Sequence, residues 1–154
     1  MSALVVYESH FGNGRRIATA IADELDTEAV PVASAPDLLP EEIDLLVAGG
    51  PTHGLTLSTA ASRASAHEDG GAEGVGGLAE WLTTVAVGPA PRVALFTTHT
   101  SPLSGSAAKA AKRLLSRRGV PTEAVTAFLV GGKTGPLREG ELERARAWAR
   151  SLRG

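Results

Sequence analysis

The sequence predicts an α/β fold built on a parallel sheet, and two observations carry that reading. Residues Ala3 to Leu25 run as a strand, a glycine-broken loop and a helix in immediate succession, and strand-then-helix alternation continues to the end of the chain. Alternation of that kind implies parallel strands joined by right-handed crossovers, with helices covering the sheet. The chain has 154 residues, 43% of them hydrophobic. That suffices for one ordinary core, so a single domain over 1–154 is expected.

Each element has its own warrant. Ala3-Leu4-Val5-Val6-Tyr7 is a continuous apolar run of strand length, as a strand buried on both faces requires. Ile17, Ile21 and Leu25, with Ala18 and Ala22 beside them, give the first helix one buried stripe. Glu28 to Val32 is a short second strand, and Ala33 to Glu42 a proline-containing connection with room for one helical turn. Ile43 to Gly50 is the third strand. Thr59 to Gly77 is rich in Ala, Ser, Gly and acids without periodicity, which predicts a mobile excursion over 59–77. Gly76-Gly77 then precedes a helix striped by Leu78, Trp81, Leu82 and Val85. Arg92 to Thr97 is the fourth strand, and Ala107, Ala111, Leu114 and Leu115 line the next helix. Glu123 to Val130 is the fifth strand, and Leu142, Ala145, Ala149 and Leu152 stripe the last helix.

Composition removes several classes of function. There is no cysteine, so disulfides, thiolate catalysis and cysteine-bound metal are excluded. No apolar stretch approaches the ~20 residues of a membrane span, and Val5 and Val6 belong to a strand rather than to a signal peptide. A cytoplasmic protein without membrane contact is expected. A net charge of -2 gives no footprint for nucleic acid. Lys109, Lys112, Arg113, Arg117 and Arg118 fall in the later turns of a helix, where cations complement its dipole.

The loop after the first strand, Glu8-Ser9-His10-Phe11-Gly12-Asn13-Gly14, is rich in Gly and Ser and opens a helix. Unpaired N–H groups and the positive end of the dipole make such a place an anion site, usually for phosphate. "VVYESHFGNGRRIA" resembles the phosphate loop of the flavodoxin family, and Gly49-Gly50-Pro51-Thr52-His53-Gly54 is similar to the Gly-x-Pro-Thr loop that lies against the flavin ring there. Short flavodoxin-like domains with Glu-Ser-x-Phe-Gly-Asn and Gly-Gly-Pro-Thr-His fit the spacing along the whole chain, including Gly135-Pro136-Leu137 before the last helix. The resemblance implies a doubly wound five-stranded parallel sheet of order 2-1-3-4-5, helices on both faces, and FMN as cofactor.

That order places the ligand beyond the C-terminal strand ends, where strand order reverses. Ser9, His10, Phe11, Gly12, Asn13 and Gly14 then face Pro51, Thr52, His53 and Gly54, and Thr97, Thr98 and His99 complete the cofactor site. One histidine falls in each segment, and His10, His53 and His99 are the catalytic candidates, as imidazoles that bind an anion or exchange protons near neutral pH. His67 lies in the excursion. With no i, i+4 histidine pair and no orienting carboxylate in the motif, no metal site is expected.

Other crevice chemistries fail on residue type. A dinucleotide fingerprint needs a small residue where Ile17 stands and an acid where Val32-Ala33-Ser34 stands. A phosphoaccepting receiver needs an Asp where Gly49-Gly50 stands. Gly132-Lys133-Thr134 lacks the first glycine of a Walker loop, since Ala127 occupies it, and no Gly-x-Ser-x-Gly elbow exists.

The chain also departs from the family. Phe11 and Gly14 replace threonines of the phosphate loop, so a threonine restored at 14 is expected to add a hydroxyl bond. Leu55 and Thr56 replace an aromatic and a glycine at the ring, removing a stacking surface and the freedom for a backbone flip. Electron-shuttling flavodoxins are markedly acidic, whereas 17 acids here meet 15 bases. Two readings follow. One is an FMN-binding redox protein, for electron transfer with a partner protein or flavin-dependent oxidoreduction. The alternative is the same fold with flavin binding weakened or lost and a histidine-lined crevice serving a non-redox ligand or reaction.

Overall fold

In the computed structural model, residues 1–53, 56–88, 91–101, 106–132 and 134–153 are described. Five strands, β1 (Ala3–Tyr7), β2 (Ala29–Pro31), β3 (Leu45–Pro51), β4 (Arg92–His99) and β5 (Ala124–Leu129), form one parallel sheet of order β2-β1-β3-β4-β5. The helices are α1 (Asn13–Glu24), α2 (Ala60–Glu68), α3 (Leu78–Thr84), α4 (Ala107–Arg117) and α5 (Glu141–Leu152). This is the flavodoxin-like α/β fold that the sequence predicts.

The pleat explains why most strand positions are apolar. Successive side chains point to opposite faces, and both faces are covered. Val5, Val47, Ala94, Phe96 and Phe128 pack with Ile17, Ile21, Ala145 and Ala149 of α1 and α5. Val6, Leu46, Ala48, Val93 and Leu95 pack with Leu78, Leu82, Ala111 and Leu115 of α3 and α4. Phe128 meets Phe96 edge-on at 6.2 Å and Trp148 at 6.3 Å. Such pairs contribute roughly 0.5–1.5 kcal/mol each beyond burial. A Cβ at Gly49 would run into the Phe96 ring, so the first glycine of Gly49-Gly50-Pro51 makes room for the core.

Two segments differ from expectation. Within 59–77, Ala60–Glu68 is helix α2 rather than an irregular excursion. Its start is a reciprocal cap: Ser62 N–H donates to Thr59 Oγ1 at 3.1 Å, and Thr59 N–H donates to Ser62 Oγ at 2.8 Å. Only Ala66 of this helix is buried, which is why its sequence carries no stripe. The fourth strand also continues past Thr97 to His99, paired with β3 through Pro51↔Thr98 and with β5 through His99↔Leu129.

Because α1 leaves β1 toward one face and α3 follows β3 on the other, the C-terminal ends of these neighbouring strands part and leave a crevice. No helix among the described residues is long and apolar enough to cross a membrane.

Candidate functional site

A cavity of about 450 Å³ opens at the ends of β1, β3 and β4, within the roughly 300–1,000 Å³ usual for small-molecule sites. Its floor is the loop from β1 into α1. Gly12 takes φ 94°, a left-handed conformation that glycine adopts without steric cost, and this turns the chain into the helix. No side chain caps α1. The first i→i−4 bond is donated by Arg16 to Gly12, so the N–H groups of Asn13, Gly14 and Arg15 precede the ladder. Ser9 Oγ accepts the Gly12 N–H at 3.1 Å, which fixes the bend and keeps the Ser9 hydroxyl at the rim.

Ser9, His10, Phe11, Asn13, Gly14, Pro51, Thr52, His53, Thr98 and His99 all line the cavity. Gly12 faces a neighbouring open groove with Arg15 and Arg16. Asn13 lines both hollows, and its Nδ2 donates to the Thr134 carbonyl at 3.3 Å. Thr97 does not reach the cavity. It is fully buried, its hydroxyl donates to the Gly50 carbonyl at 2.9 Å, and it lies 2.8 Å from Thr52 Oγ1, which also accepts the Ala107 N–H at the start of α4. The two threonines thus fasten β3, β4 and α4. Gly54 and Leu55 lie outside the described residues.

Thr100, in the segment after β4, also lines the cavity, whereas sequence reasoning did not single out Glu8 and Val130, nor Ser62, Ser65 and Ala66, which α2 brings to the wall. The Thr59-x-x-Ser62 spacing, a cap ahead of an alanine-rich run, was the available signal for that helix.

The least expected feature is Glu8. Its side chain is buried, with 1% exposure. Oε1 accepts the Leu78 N–H at 2.8 Å and Oε2 accepts from His10 Nε2 at 2.6 Å. Burial pushes the carboxyl upward, but the hydrogen bonds from His10, the Leu78 N–H and Ser58 outweigh it and hold Glu8 below the usual carboxylate value. His10 Nδ1 is buried with no hydrogen-bond partner.

His53 stands across the cavity wall, its ring centroid 5.0 Å from that of His10, and its Nδ1 shares a 2.8 Å hydrogen bond with Ser62 Oγ. One donor atom each from Glu8, His10 and His53 lies within 4.8 Å of the others. His99, the last residue of β4, lines the same cavity. His67 does not line the cavity and lies 3.1 Å from the Gly71 carbonyl through Nδ1.

No protein-family model matches the chain, and no curated protein sequence matches it either. Among solved structures it is similar to oxidised Flavodoxin 2 from Bacillus cereus, at 20% identity over 99% of this chain and 98% of that one, with a TM-score of 0.59. A putative flavoprotein from Bacteroides uniformis ATCC 8492 matches at 15% identity over 97% of each chain, again with a TM-score of 0.59. At such identities the likeness shows a shared flavodoxin-like fold.

Proposed function

We propose that this chain is an FMN-binding, flavodoxin-like redox protein, with the phosphate held in the Ser9–Gly14 loop. The observation that carries the reading is the uncapped N-terminus of α1 opening into the cavity at the switch point between β1 and β3. Backbone N–H groups of Asn13 to Arg15 and the Ser9 hydroxyl are the donors, and the helix dipole adds to them. Arg15 and Arg16, on the outer side of the loop, contribute charge from the neighbouring groove. Pro51 to His53 and Thr98 to Thr100 form the walls that receive the ring. The flavin supplies electron transfer, and a redox partner protein follows from that role.

A second reading, in which the same crevice takes a non-redox ligand, is favoured by the Glu8, His10 and His53 wall and by the diversion of Thr97 and the Asn13 amide into structural bonds.

Titration of the protein with FMN and, separately, riboflavin, followed by flavin fluorescence, decides between them. FMN is expected to bind at micromolar protein, and more tightly than riboflavin. Failure of both flavins to bind gives the lead to the second reading, and equal binding removes the phosphate loop from it.

A further inference from the structure

We propose that Glu8, His10 and His53 form a mononuclear site for a divalent transition metal of the zinc class, with the remaining coordination position turned to the cavity. Among the described residues this is the one group of three such side chains whose donor atoms all lie within 4.8 Å of one another. The residue types match: two imidazoles and one carboxylate from protein, with an open position, is a recurrent catalytic zinc donor set.

The supporting contacts match as well. A ligating carboxylate is steadied by a hydrogen bond to its other oxygen, and Glu8 Oε1 holds the Leu78 N–H at 2.8 Å. A ligating imidazole is oriented through its second nitrogen, and Ser62 meets His53 Nδ1 at 2.8 Å. His10 is held differently. Its ring is enclosed, one nitrogen is on Glu8, and Nδ1 is buried without a partner. With the metal on Nε2, Nδ1 carries the ring proton, and the site rests on its donor set and on the contacts that hold Glu8 and His53.

The short contact between His10 and Glu8 is the protonated form of the site. His10 Nε2–H donates to Glu8 Oε2 across 2.6 Å, so a proton sits between two potential ligands. Bonds of about 2.0–2.2 Å in a tetrahedron separate neighbouring donors by roughly 3.3 Å. Opening the pair by roughly 0.7–1 Å, while His53 closes in from a separation of up to 4.8 Å, admits the ion. The metal takes the Nε2 lone pair and the carboxylate oxygen, and the ring proton moves to Nδ1, so the imidazole stays neutral. A dication held by one carboxylate and two neutral imidazoles carries a net positive charge. Its open position therefore favours water or an anionic oxygen ligand such as a carboxylate or phosphate group entering the cavity.

The test uses chelator-treated protein without a histidine tag, titrated with Co²⁺ and followed by visible absorption. One Co²⁺ per chain is expected, with the band lost on addition of Zn²⁺. His10→Ala and His53→Ala are each expected to weaken binding by at least about tenfold, while His67→Ala leaves it unchanged. Both cavity variants keep the Glu8 contact to Leu78, and circular dichroism confirms that they fold. No saturable binding below about 1 mM, or binding indifferent to both cavity variants, overturns the proposal. Because the titration is made without flavin, Co²⁺ binding in a protein that ignores FMN supports this site while refuting the flavin reading.

Discussion

The Glu8 carboxylate accepts the Leu78 N–H at 2.8 Å across 70 residues of sequence, so the end of β1 caps the start of α3 on the opposite face of the sheet. Gly77, at the N-cap of α3, has no side chain to do so. A charged acceptor at a helix N-terminus satisfies an orphan donor and complements the dipole.

The first prediction follows from that contact. Glu8→Gln retains an acceptor for Leu78 but loses the charge, and it sets an amide N–H₂ or a neutral oxygen against His10. The expected cost is about 1.5–3 kcal/mol, read as a lower urea midpoint at unchanged slope. A midpoint equal to wild type would show that the charge of Glu8 adds nothing to its hold on Leu78 and His10.

The second prediction concerns Glu141, which joins the first turn of α5 to the end of β5. Its Oε2 accepts the Leu129 N–H at 2.6 Å and Arg144 Nη2 at 2.8 Å, and Oε1 accepts Arg144 Nε at 2.9 Å. Arg144 also caps the Ala127 carbonyl and lies 4.7 Å from the Phe128 ring centroid. The hydrogen bond from Arg144, aided by the Leu129 N–H, outweighs burial and holds the Glu141 carboxyl below its usual value. A carboxyl depressed in the folded state binds its proton more readily in the unfolded chain. Its stabilisation is therefore complete above the unfolded value of about 4.5 and fades as pH falls through the lower folded value. Wild type is expected to exceed Glu141→Gln in stability by a constant amount at neutral pH, with the gap closing only below about pH 4.5. A gap that persists unchanged to pH 2 would mean that the charge of Glu141 contributes nothing.

The sheet was legible because most strand positions are apolar, and four of the five described helices carry a stripe. Ile17 with Ile21, and Trp81 with Leu82, declare their buried faces directly. Helix α2 was not legible, because a helix that buries only Ala66 has no stripe to show and depends on its Thr59 cap. Residues of both glycine loops and three histidines line one cavity, since loop position follows from strand order. Long-range bonds were invisible. Nothing near Glu8 announces Leu78, and nothing near Thr97 announces that its hydroxyl goes to Gly50 and Thr52 rather than to a ligand.

The last prediction reverses an expectation drawn from family resemblance. A threonine at position 14 was expected to bring a hydroxyl to the phosphate. Yet a Cβ there would stand 3.1 Å from the Glu8 carbonyl oxygen and 3.6 Å from Ser9 Cβ. Position 14 has no positive φ, so the backbone itself accepts a side chain, and the lost freedom of the unfolded chain would favour one by up to about 1 kcal/mol. The obstacle is Glu8. Its N–H is bonded to Gly49 and its carboxylate to Leu78 and His10, so the carbonyl that must retreat belongs to a residue fastened at both backbone and side chain. A β-branched residue also brings a second substituent into that wall. Gly14→Thr is therefore expected to lower stability by about 1–3 kcal/mol, the usual cost of overpacking, without tightening FMN binding. Chemical denaturation and FMN titration of the same variant check both parts. A variant as stable as wild type that binds FMN more tightly would show that the loop yields, and that the glycine, rather than its packing, had limited phosphate binding.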